Sequence, residues 1–88
     1  MAKRTIKITS HQAVYTIGIV SRLLGMPEWT LRSIEKEGLV SPKRVDKKNR
    51  YYSMRDIKKL EYIHYLMEEK GVNVSGIKII MTMRKVEF

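Results

Sequence analysis

The fold of this chain is most constrained by two breaks that bracket a very short helical pattern. Residues 25–40 read GMPEWTLRSIEKEGLV. Gly25 and Pro27 interrupt the chain on one side and Gly38 on the other. Glycine commonly closes a helix, and proline is tolerated in a first turn. The pattern is therefore confined to a helix over about residues 27–37. Leu31 and Ile34 face inward on it, while Glu28, Trp29, Arg32, Ser33 and Lys36 share the other side. The single tryptophan shares a face with the inward pair only poorly. It either turns outward toward a ligand or closes the core edge against the preceding helix.

The flanks extend the reading. Thr16 is a suitable N-cap, and Ile17, Val20, Leu23 and Leu24 then fall on one helical face that ends at Gly25. Two short helices joined by a tight turn make a helix-turn-helix candidate. Behind Gly38, Leu39 and Val40 should pack inward. Asp46 to Asn49 is turn chemistry between Arg44-Val45 and Arg50-Tyr51-Tyr52, which predicts a β-hairpin wing with a basic tip. Ser53-Met54-Arg55-Asp56 resembles a capping box, followed by a helix with Ile57, Leu60, Ile63 and Met67 inward. Gly71 ends it, and Asn73 or Ser75 caps a last helix. That helix has Ile77, Ile80 and Met81 on one side and Ile79, Met83 and Val86 on another. Two apolar faces suit either burial within the domain or a dimer contact. The expected layout is a basic arm over 1–14, a winged unit over 15–72 and a C-terminal helix over 73–88. Within the arm, the Thr5–Thr9 alternation is alternatively a short strand.

Charge narrows the function. Among 88 residues, Lys and Arg number 18 against 9 acids, a net charge of +9. Such an excess favours polyanions, nucleic acid first. Between Lys43 and Lys59 eight basic residues face two acids, net +6, so the basic footprint clusters on the wing and the helix after it. Lys48 and Arg50 lead the expected phosphate contacts, and one of Tyr51 and Tyr52 can donate its hydroxyl to a phosphate while the other packs inward. Arg32 can bridge guanine O6 and N7 or hold a phosphate. Glu28 can accept from cytosine N4, and Trp29 can cover a thymine methyl. Cysteine is absent, which excludes disulfides and thiolate metal sites and fits a reducing cytoplasm. No run approaches the roughly 20 apolar residues of a membrane span, and the N-terminus lacks the pattern of a signal peptide. His11 and His64 stand far apart, and no nucleophile–base pair or phosphate-binding glycine loop occurs. Neither catalysis, a metal nor a cofactor is expected.

Several of these residues fall together in one known order. Ile17-Gly18 opens the first helix; Thr30-Leu31-Arg32, Glu35 and Gly38-Leu39-Val40 mark the second. Arg50-Tyr51-Tyr52-Ser53 closes the wing, and Met54-Arg55-Asp56-Ile57 starts the next helix. In these features, over about residues 15–82, the chain resembles the DNA-binding domain of MerR-family transcription regulators. Gly71 to Lys78 is similar to the HspR-like heat-shock repressor branch and to the GlnR- and TnrA-like nitrogen regulators. Ser33-Ile34, where the family has aromatics, and Pro27, where it has a Ser or Thr cap, depart from the pattern. The resemblance implies a mostly α, winged helix-turn-helix fold with a short β-hairpin wing and two further helices. It also implies a homodimer on an inverted repeat of double-stranded DNA, Tyr52 as the packed tyrosine, and, in the HspR-like branch, repression of chaperone genes. Pattern and resemblance together give a DNA-facing set of Thr16, Glu28, Trp29, Thr30, Arg32, Ser33, Lys36, Arg44, Lys47, Lys48, Arg50 and Tyr51. An excisionase-like architectural factor shares this small, basic, winged character. A protein-interaction module docking through the last helix is the reading outside DNA binding.

Overall fold

A computed structural model describes residues 9–46 and 48–84. The chain begins with a two-residue strand, β1 (Tyr15–Thr16), which runs straight into α1 (Ile17–Leu24). Thr16 makes that switch possible: its side chain accepts from the Ile19 N–H at 3.3 Å, satisfying a donor the helix start would leave unpaired. Gly25 closes α1 with φ 65° and returns its N–H to the Ser21 carbonyl. A Cβ is strained in that left-handed region, so glycine is what allows a turn tight enough to start α2 (Glu28–Lys36) three residues later. Pro27 precedes α2 without a side-chain cap, and its carbonyl takes the Thr30 and Leu31 N–H groups instead.

The wing follows as β2 (Lys43–Arg44) and β3 (Arg50–Tyr52). It is not an isolated hairpin. The sheet order is β1-β3-β2, antiparallel throughout, with Tyr15 opposite Tyr52, Thr16 opposite Tyr51, and Arg44 opposite Arg50. Two residues are too few to show an alternation, which is why β1 could not be seen in the sequence. Asp46 organises the tip: Oδ1 accepts from the Lys48 and Asn49 backbone N–H groups and Oδ2 from Asn49 Nδ2. Those hydrogen bonds hold the Asp46 carboxyl below its ordinary value.

A 15-residue helix, α3 (Met54–Glu68), forms the backbone of the domain. Its capping box is complete, with Ser53 accepting from Asp56 N–H and Asp56 accepting from Ser53 N–H. Asn73 then caps α4 (Val74–Arg84), accepting from the Gly76 N–H at 2.8 Å. The core joins Val20, Leu31, Ile34, Tyr52, Leu60, Ile63 and Ile77, all fully buried, with Leu39 and Val40 behind α2.

Two expectations about the core shift. Leu23 is 61% exposed, because α1 turns Val20, with Ile17 and Leu24, toward the core. On α3 Leu66 is buried where Met67 was expected, and Met67 packs only partly. On α4 one apolar face packs through Ile77, while Ile79 and Met83 are exposed; Val86 lies outside the described residues. Residues 9–14 of the expected arm make contacts with the wing and α3. Val14 N–H donates to the Tyr52 carbonyl, Arg55 N–H to the Ser10 carbonyl, and the Arg55 guanidinium lies 3.2 Å from His11 Nδ1. Most of the alternative Thr5–Thr9 strand falls outside the described residues.

Candidate nucleic-acid interface

The outward side of α2 is set by its buried side. With Thr30, Leu31 and Ile34 against the core, the helical repeat turns Glu28, Trp29, Arg32 and Lys36 to solvent. Glu28 and Arg32, four residues apart, form an exposed ion pair at 3.2 Å. Ser33 is half-buried at the edge. Thr30, in the expected DNA-facing set, is 6% exposed and borders the groove beside Trp29.

The wing reaches the same side of the molecule through a carboxylate. Glu35 Oε1 accepts from Arg50 Nε at 2.6 Å and from Arg44 Nη2 at 3.0 Å, and Oε2 accepts from Arg44 Nε at 3.3 Å. Arg32, Glu35, Lys36, Arg44 and Arg50 together line one open concavity of about 520 Å³. Four cations and one anion thus share a cleft between α2 and the wing. The outer side of α2 and the base of the wing thus border the same concavity. Burial tends to raise the Glu35 carboxyl pKa. Hydrogen bonds from Arg50 and Arg44, and their charges, more than offset that and hold it below the usual glutamate value.

Arg50 belongs to this cluster. Only 15% of its side chain is exposed, and the guanidinium expected to lead the phosphate contacts donates to Glu35. Arg44 is more open but holds the same carboxylate. Lys48 is exposed at the tip, and Lys47 lies outside the described residues. Thr16 has its hydroxyl engaged in the α1 cap. Tyr51 is half-buried, and Tyr52 is the packed tyrosine that the resemblance implied. Glu35 was missed as a site residue although it belongs to the motif order. Its partners stand 9 and 15 positions away, beyond the reach of any helical or strand spacing.

Trp29 is 71% exposed, so it does not close the core edge. Its ring borders a shallow groove of about 220 Å³ that also involves Met26, Pro27, His64 and Met67. His64 Nε2 lies 3.8 Å from Glu68 Oε1 on the same helix. Among the described residues, no three His, Asp or Glu side chains gather as a metal site, and no helix is long and apolar enough to cross a membrane.

A capped helix-turn-helix with a wing strapped beside its second helix defines a class, that of the winged helix-turn-helix regulators. Residues 15–84 match the MerR family of helix-turn-helix regulatory proteins, and the chain belongs to that family. The chain is 38% identical over 77 residues to the heat shock protein HspR of Streptomyces coelicolor, an alignment covering 88% of this chain and 51% of that relative. It spans about half the length of the curated relative it matches. Members of that family are DNA-binding regulators of transcription rather than enzymes, and this chain carries the family's helix-turn-helix domain.

Proposed function

We propose that this chain reads a defined site on double-stranded DNA as the DNA-binding part of an HspR-like repressor, acting in the cytoplasm as a homodimer on an inverted repeat. The observation that carries the reading is the shared cleft of α2 and the wing. The outer residues of α2 enter the major groove, with Arg32 and Lys36 central and Glu28, Trp29 and Ser33 beside them. Arg44, Lys47 and Lys48 neutralise flanking phosphates, and Tyr51 and Thr16 border that contact. The likeness to a heat shock protein favours the repressor branch. The exposed Ile79 and Met83 face of α4 is the surface that pairing of two chains would cover.

Selection of bound fragments from random duplex DNA tests the reading. A preferred palindromic site, with two chains per site by sedimentation, is the expected result. A preferred site without symmetry, holding one chain, fits the excisionase-like alternative. Recovery of no preferred sequence removes the reading altogether. Arg32→Ala should weaken specific binding by about 1–3 kcal/mol if the guanidinium reads a base. Its pair with Glu28 is exposed and inexpensive to exchange for a base contact.

A further inference from the structure

We infer that Glu35 is a positioning residue that locks the wing to the second helix and so sets sequence selectivity, while lowering non-selective attraction to DNA. The inference rests on the DNA-binding reading above. Three elements meet on this one carboxylate: α2 carries it, β2 supplies Arg44 and β3 supplies Arg50. β3 is tied to the body of the domain by its pairing with β1 and by buried Tyr52, whereas β2 is a two-residue edge strand that pairs with β3. The Glu35 contacts add a direct link from both wing strands to α2, and the Arg50–Glu35 contact is part-buried, with 15% and 17% of the two side chains exposed.

Charge argues the same way. If the cleft served only to attract phosphate, an acid at its centre would be a defect. Arg32, Lys36, Arg44 and Arg50 sum to +4, and Glu35 reduces this to +3 while engaging two of the guanidinium groups. Attraction to any duplex scales with the cations free to displace counterions. Glu35 therefore costs general affinity. What it supplies is a fixed angle between the residues that read bases and those that grip the backbone, and register of that kind is what selective contacts require.

The test compares the full chain with Glu35→Gln and Glu35→Asp. Each is titrated against its selected site and against a mixed-sequence duplex of the same length, with the folded fraction read by far-UV circular dichroism. Glu35→Gln should weaken binding to the selected site about tenfold, as expected on breaking one ion-pair network. Binding to the mixed duplex should stay level or tighten, with a steeper salt dependence from the added net charge. Glu35→Asp keeps the charge but shortens the reach to two guanidinium groups, so selectivity should fall with the salt dependence unchanged. A purely structural role would weaken both duplexes in parallel, and that result, or an unchanged ratio, overturns the inference. Should Gln fail to fold, Asp decides; failure of both to fold assigns Glu35 to stability alone and overturns it too. A wild-type chain with no preferred site removes the DNA reading and this inference together. Wild-type selectivity that both variants retain removes the inference only.

Discussion

Tyr52 shows how much the site's packing costs a single residue. It is fully buried between the wing and the helices, and its hydroxyl has no hydrogen-bond partner among the described residues. Burial, reinforced by the negative charge of Glu35, pushes its pKa up to about 12. A pKa raised in the folded state means the unfolded chain releases the proton first. The stability from keeping Tyr52 neutral is complete below its ordinary value of 10.0 and is lost as pH climbs toward about 12. The loss should be on the order of 2–3 kcal/mol across that window, seen as a falling urea midpoint. Tyr52→Phe should remove this component of alkaline unfolding. At neutral pH it should leave stability unchanged or raise it by up to about 1 kcal/mol, because a buried unpaired hydroxyl is a penalty rather than a bond.

At the scale of elements, each helix is specified at its ends and placed by its buried side. Gly25 and Gly38 adopt φ 65° and 76°, and each lets the chain reverse within one or two residues of a helix end. Gly76 has a different reason. It lies inside α4, where alanine would ordinarily be favoured by about 1 kcal/mol. A Cβ there would stand 2.8 Å from Val72 Cγ1, and that short β-branched side chain has little freedom to move aside. Gly76→Ala should therefore lower stability, by about 1–3 kcal/mol on the scale of overpacked sites, in spite of its better helix propensity. A raised melting temperature would show that the segment joining α3 and α4 yields more easily than its packing suggests.

Across the whole molecule, charge couples the fold to its surroundings. Glu35 titrates below its ordinary value of 4.5, so its contribution is fully present above that pH and lost as pH falls through the lower folded value. Wild type should lose stability faster than Glu35→Gln as pH drops below about 4.5, and the gap between their urea midpoints should close. A gap that stays constant down to acid unfolding would mean that folding does not lower the Glu35 pKa. DNA binding should weaken steeply as salt rises, since each phosphate neutralised releases counterions. Salt-independent binding would detach the basic surface from the interaction.

Local signals carried much of the architecture. The breaks at Gly25, Pro27 and Gly38, the Thr16 and Ser53 caps and the inward spacing of Leu31, Ile34, Leu60 and Ile63 each depend on residues within a few positions of one another. Physics acting over that range is legible in a string. The order of the motifs was enough to show the family resemblance, and the basic run pointed to a polyanion. Tertiary contacts alone decided the rest. The pairing of Tyr15–Thr16 with β3, the burial of Thr30, the outward turn of Leu23 and Trp29, and the capture of Arg44 and Arg50 by Glu35 all depend on partners distant in the chain. Composition counts a cation as available wherever it stands. Only the folded geometry shows that two of these cations pair with Glu35.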